Sequence, residues 1–341
     1  ATAGLATVTG PLLGGVLVDA GGWPWIFWVN VPVGVVGLIL AMTFVPKLEQ
    51  TNRRFDWAGM ALSAIGMFCL VYGIQEAQHF GWDWRVWALL AVGAVAMVLF
   101  VRWQASRGTD ALVPLELFAN RNFALAGGVI ATVGFAVSTF AIPWMIYVQT
   151  VQEFTPTHAA LLILPSGAVS FFLSPAIGRL TNTHDPKPFA IAGLTMAAIS
   201  IGAAALITTP AVDARWMYAI SVLYGVANSM MWGPLSMVAT RNLERHLAGS
   251  GSSVYNTMRQ IGAVIGSAAI AAMMSAQLAR QLGEDAAARV GGGASISGPL
   301  PETLHEPFAA AMSATIWLPG AVIAAGAVLA CCFHRTQSWS E

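Results

Sequence analysis

Runs of about 20 mostly apolar residues recur from one end of the chain to the other, the length a helix needs to cross a bilayer. Ten such runs fit, over residues 1–18, 26–45, 58–78, 85–103, 123–148, 158–178, 189–209, 215–239, 251–275 and 307–333. Only 9% of the 341 residues are charged and 57% are hydrophobic, whereas a soluble domain carries about 25% charged residues. Charge this sparse cannot cover a water-facing surface, and the mean hydropathy of +0.68 agrees. The expected fold class is therefore an all-α integral membrane protein, a polytopic helical bundle in a lipid bilayer. The formal net charge is zero and there is no basic tract, so no nucleic-acid partner is expected. Cys69, Cys331 and Cys332 lie within apolar runs, with neither a disulfide framework nor metal-ligand spacing. No cofactor or metal is expected.

Orientation follows from Lys and Arg in the short loops. With residues 46–57 placed inside and the spans alternating, the inner side holds Lys47, Arg53, Arg54, Arg102, Arg107, Arg121, Arg179, Lys187, Arg241, Arg245, Arg259 and Arg335. The outer side holds only Arg85, Arg215, Arg280 and Arg289. This bias predicts a cytoplasmic C-terminus in a multi-pass plasma or inner membrane protein. Tryptophans at 23, 25 and 28 and at 82, 84 and 87 cluster at the expected outer boundaries, as interfacial anchors do. Two loops are longer than the rest: 104–122 on the inner side, and 276–306 on the outer side, where "VGGGASISGPLPE" reads as flexible. Neither is large enough for a soluble catalytic domain.

The first run, "ATVTGPLLGGVLVD", places helix breakers among apolar residues. On a helix, Ala3, Thr7, Gly10 and Gly14 share one face, and Pro11 and Gly15 form the adjacent row. In lipid such a stripe lets backbones approach closely, and Gly10 to Gly14 is a GxxxG step. Pro11 removes the bond to the Thr7 carbonyl and predicts a bend.

These residues carry a family resemblance. "GPLLGG" resembles the signature on the fifth helix of drug:proton antiporters of the major facilitator superfamily. "GWPWIFWVNVPVG" resembles the W-x-W-x-F-x-x-N-x-P-x-G pattern of the 14-span subgroup, with Trp23, Trp25, Phe27, Asn30, Pro32 and Gly34 matching and Pro24 where Arg is usual. "PLELFANRNF" (114–123) resembles the lead into the seventh standard helix. "YVQTVQEFTPTHAALLILPSG" (147–167) resembles the family's Y-x-Q…G-x-S-P…G-L…L-P stretch, with Glu153 and Ala160 where glycines are usual. "SPAIGRLTNTHDPKP" (174–188) resembles a degraded copy of the gating loop that keeps Gly178, Arg179 and Leu180. "SVYNTMRQIGAVIGSA" (253–268) resembles the N-T-x-R-Q-x-G-x-x-x-G element.

The resemblance implies a partial major-facilitator fold. Residues 1–45 would hold the fifth and sixth helices of the N-terminal bundle, and 46–122 two inserted helices with their linkers. Residues 123–333 would form the C-terminal six-helix bundle, and 334–341 a cytoplasmic tail. The first four helices would be lacking, and with them the usual proton-coupling carboxylate. The implied activity is export of hydrophobic or cationic small molecules in exchange for protons, by alternating access, with no enzymatic step. Gly10, Pro11, Gly14 and Gly15 would seal the outward side. Trp23, Trp25, Asn30, Pro32 and Gly34 would form an interface signature.

Few ionisable groups lie at membrane depth, where each is a functional hypothesis. Glu76, in "YGIQEAQ", is the candidate proton-linked group, set against a solvated interfacial role. Arg259, near Asn256, either snorkels to the inner surface or is an ion-pair partner across a cytoplasmic gate, to which Gly178 and Arg179 of the gating-loop copy are also assigned. Gly262 and Gly266 repeat the GxxxG device on its helix. A lipophilic site should be apolar and aromatic with a few polar groups. Phe135, Phe140, Trp144 and Tyr147 on one span, and Asn228, Met231 and Trp232 on another, offer such surfaces, expected at the midplane. An intramembrane enzyme lacks its signals: there is no HExxH, and every His lies at a span end or in a loop. The remaining alternative is a truncated, non-transporting or regulatory membrane protein.

Overall fold

A computed structural model describes residues 10, 13, 17, 22, 24–44, 56–77, 82–107, 111, 113–241, 243–283 and 300–334. Every element among them is helical. The long helices, in chain order, are α1 (Trp25–Phe44, interrupted at Val29), α2 (Trp57–Glu76) and α3 (Trp84–Arg107). Then come α4 (Arg121–Thr150), α5 (Leu164–Thr183), α6 (Pro186–Ile207), α7 (Ala214–Thr240), α8 (Ala248–Leu282) and α9 (His305–Cys331). Short polar side chains start several of them. Asn120 accepts from Phe123 N, Asp185 from Lys187 N and Asp213 from Arg215 N, satisfying amides that have no partner in the first turn.

Eight helices among the described residues are long and apolar enough to cross a membrane. They match eight of the ten expected runs. Of the first run only Gly10, Leu13 and Leu17 are described, each helical. The run at 215–239 becomes α7, which has 27 residues but no 18-residue stretch as apolar as those of the other eight. Trp216, Tyr218, Tyr224, Asn228 and Trp232 lower its hydropathy, and several of these face inward rather than toward lipid. Helices also outrun the apolar windows. α8 continues to Leu282, so residues 276–282 of the expected outer loop are helical, and α3 continues through Gln104–Arg107 of the expected inner loop. Polar helix formers extend a helix into water without leaving a hydropathy signal.

α4 to α9 form one bundle. α6 packs on α7 and α9, α4 on α8 and α9, and α5 on α7. In lipid no hydrophobic force drives helices together, so contact depends on close backbone approach. Gly262 of α8 lies on the Ala131 carbonyl of α4, and a Cβ at Gly266 would come within 3.0 Å of the Phe135 carbonyl. Gly134 of α4 meets the Arg259 carbonyl in return. The GxxxG step at Gly262 and Gly266 is thus a tight helix seam. At Gly193 of α6 a Cβ would stand 2.7 Å from the Met230 backbone of α7, and Gly225 of α7 is as tightly set against Ser166 of α5. The end of α9 is held by Lys187, whose Nζ donates to the carbonyls of Cys331 (3.0 Å) and Phe333 (2.5 Å). Asn122 and His334 exchange two hydrogen bonds beside it. Cations at a helix C-terminus complement its dipole.

α2 and α3 pack mainly on each other and touch the bundle through α8. Gly59, Gly66 and Gly73, seven residues apart, put one side-chain-free face of α2 against α3. α1 buries none of its side chains among the described residues.

Candidate functional site

The last third of α4 and the first third of α7 enclose a cavity of about 240 Å³ with the start of α5. Phe140, Trp144 and Met145 line it from α4, and Met217, Ser221 and Tyr224 from α7. Leu162, Ile163 and Ser166 close the third side. The Phe140 ring stacks on Trp144 at 5.9 Å and meets Tyr224 at 5.7 Å. Three aromatic faces and three hydroxyls, with no carboxylate among the lining residues, suit an apolar or flat cationic guest held by π faces. The cavity extends from the centre of α4 toward the loops at 151–155 and 208–213.

Of the expected cavity residues, Phe140 and Trp144 line this space. Tyr147, one turn further, is buried and serves as a pin. Its hydroxyl donates to the Thr209 carbonyl (2.6 Å), and Gln152 Nε2 donates to both the Tyr147 oxygen and Thr209 O (3.0 Å each). The structure places Phe135 in the α4–α8 seam and Met231 in the core, fully buried beside Gly193. Asn228 and Trp232 bond each other, with Trp232 Nε1 donating to Asn228 Oδ1 at 2.9 Å. Their amide anchor is the Tyr224 carbonyl, which Asn228 Nδ2 reaches at 3.0 Å. Tyr224, Asn228 and Trp232 are therefore one row at spacing four, and Tyr224 was legible from that spacing.

The other expected residues are dispersed. Gly10 is helical and exposed, while Pro11, Gly14, Gly15 and Trp23 lie outside the described residues. Trp25, Asn30, Pro32 and Gly34 are exposed on α1, and Asn30 Nδ2 donates back to the Ile26 carbonyl at 2.9 Å. Glu76 ends α2, half-buried. Gly178 and Arg179 are exposed near the end of α5, a helix that packs on α7. Asn256 and Arg259 lie on α8, which packs on α4 and α9, so the two halves of the expected gate sit on separate parts of the bundle. Arg259 is half-buried, its stem over Gly134, and makes no ion pair among the described residues. One turn earlier, the buried Tyr255 hydroxyl has no hydrogen-bond partner there. Glu153, standing where the family pattern has glycine, adopts φ +55°, the left-handed conformation that glycine takes without cost.

One cluster escaped the sequence reading. Asp56 caps α2, 5% exposed, and gathers donors from four residues. Oδ1 accepts from Gly59 N and Trp103 Nε1, and Oδ2 from Gln104 Nε2, each at 2.9 Å. Arg107 approaches to 3.9 Å while lying over the Trp103 ring. Gln104 Oε1 in turn accepts from Val113 N, tying the linker to the helix pair. Burial pushes the Asp56 carboxyl up, but its donors and Arg107 outweigh that and hold it below 3.8. Gly59 is required here, since a Cβ would overlap both Asp56 and Gln104. Asp56 and its α3 partners are 47–51 positions apart, so no local motif announces them.

Comparison with known proteins agrees with this architecture. The Major Facilitator Superfamily matches residues 1–58 and 52–267. An uncharacterized MFS-type transporter of Mycobacterium tuberculosis, Rv1250, is 42% identical over 330 residues, covering 96% of this chain and 57% of that protein. The multidrug resistance protein Stp of the same species is 32% identical over 284 residues, covering 83% of this chain and 52% of its own length. The chain thus spans about half the length of the curated relatives it matches. Its helices, its seams of small residues and these matches agree: the chain belongs to the Major Facilitator Superfamily.

Proposed function

We propose that the protein exports hydrophobic or cationic small molecules across the cell membrane in exchange for protons. The observation that carries this reading is the cavity of Phe140, Trp144 and Tyr224, whose adjoining aromatic faces fit flat lipophilic cations. The similarity to Stp, a multidrug resistance protein, supports the substrate class. In this reading α4–α9 are the C-terminal bundle, α2 and α3 an inserted pair, and α1 with the apolar run before it part of the opposing bundle. Alternating access rocks the bundles about a site between them. Gly10, Pro11, Gly14 and Gly15 seal the outward side. Gly178, Arg179, Asn256 and Arg259 serve the cytoplasmic gate. No carboxylate lines the cavity, so the proton site lies elsewhere, with Glu76 the candidate among the described residues.

Trp144→Ala and Tyr224→Ala each remove one face of the cavity. Each is expected to weaken ethidium binding, read by quenching of tryptophan fluorescence, by about tenfold, which corresponds to about 1.4 kcal/mol. In cells expressing the protein, efflux of the dye should fall in step and should stop when a protonophore is added. Dye affinity unchanged in both variants would overturn the site. Efflux indifferent to the protonophore would overturn the coupling.

A further inference from the structure

A second cavity, of about 450 Å³, separates the α2–α3 pair from α8. Its size falls within the ~300–1,000 Å³ of small-molecule sites. Met67 of α2, Met97 and Phe100 of α3, and Thr257 and Met258 of α8 form its walls. Methionines suit a flexible apolar guest, because they repack around it. The space does not end at these walls. Met97 and Val101 also line an adjoining open groove of about 390 Å³, which runs over Val98 to Arg102. Val98 and Val101 are 56% and 48% exposed on a membrane-spanning helix, so this groove faces lipid.

The two arginines near the end of α3 differ. Arg107 is engaged by Asp56 and by the Trp103 ring. Arg102, one and a half turns earlier, is exposed at the mouth of the groove and makes no hydrogen bond or ion pair among the described residues. A free cation at the end of an apolar channel complements an anionic head on an apolar chain. We propose that this crevice binds one acyl chain of an anionic phospholipid, with its phosphate on Arg102. The lipid would then fill the gap between the inserted pair and α8, where side chains alone leave it open.

The test is native mass spectrometry of the full chain in detergent, titrated with phosphatidylglycerol or phosphatidylcholine of equal chain length. Phosphatidylglycerol is expected to bind about fivefold more tightly, the preference one arginine near a membrane surface confers. Arg102→Gln should abolish that preference, weakening phosphatidylglycerol binding more than that of phosphatidylcholine, whose choline cation already offsets its phosphate charge. Ala64→Trp, which fills the crevice from α2, should reduce binding of both lipids. Arg102 is exposed and its replacement leaves the packing intact, so that arm decides even if Ala64→Trp fails to fold. Equal binding of the two lipids by the unaltered chain overturns the proposal. So does a preference that survives Arg102→Gln, or phosphatidylglycerol binding unchanged in a folded Ala64→Trp.

Discussion

At the scale of the residue, Asp56 shows how one buried carboxylate fixes a membrane hairpin. Its oxygens are saturated by Gly59, Trp103 and Gln104, and its charge faces Arg107. Removing the charge weakens several charge-assisted bonds at once. Asp56→Asn should cost about 1.5–3 kcal/mol at neutral pH, seen as a lower melting temperature of the chain in detergent. The pH dependence has a definite sign. The carboxyl is depressed below 3.8 in the folded chain, so its contribution is complete above that value. It is lost as pH falls through the folded-state value. The gap in melting temperature between the two proteins should therefore close only below pH 3.8, and a gap that closes near neutrality would assign the effect to another group. The residues around Tyr224 and Asp56 also mark how far sequence reading reaches. Tyr224 shares a helical row with Asn228 and Trp232, a relation that spacing alone reveals. Asp56 depends on partners about fifty positions away, which only the folded hairpin brings together.

At the scale of the element, glycine placement separates contact faces from bystanders. Gly262 has the Ala131 backbone against it, and Gly266 the Phe135 backbone. Gly178 has open space, with nothing within 4 Å of the Cβ it lacks. The two sites predict opposite outcomes for one substitution. Gly178→Ala should stabilise α5 by up to about 1 kcal/mol, the helix propensity that glycine forgoes. Gly262→Ala should push α8 from α4 and lower the melting temperature, since neither backbone can yield. Equal shifts from both variants would mean that the seam is not closely packed. The GxxxG step on α8 was legible because its spacing of four is a known contact device. The row at Gly59, Gly66 and Gly73 has the same physical role, but its spacing of seven passed unread within an apolar run. Helix ends were read less well than helix centres, because hydropathy reports the bilayer and not the helix. α8 runs to Leu282 and α3 to Arg107 on residues that water accepts.

At the scale of the whole molecule, composition alone decided for membrane helices, and eight of the ten apolar runs appear as helices long and apolar enough to span. α7 is the instructive departure: a helix that lines a cavity gives up hydropathy in order to present Trp, Tyr and Asn to its neighbours. What packing cannot decide is which face of the membrane each loop occupies, because a bundle is equally stable either way up. That information lies in the Lys and Arg asymmetry, which acts during insertion. The asymmetry predicts that the end of α9 lies inside the cell, and the cysteines offer a direct probe of it. Cys331 and Cys332 are exposed at that end, while Cys69 is buried in α2. A membrane-impermeant maleimide added to intact cells should leave the chain unlabelled. The same reagent added to inverted vesicles should label Cys331 and Cys332. Cys331→Ser with Cys332→Ser should abolish that labelling, because Cys69 is shielded. Labelling of intact cells that disappears in the double variant would place this terminus outside and reverse every loop assignment made from the basic residues.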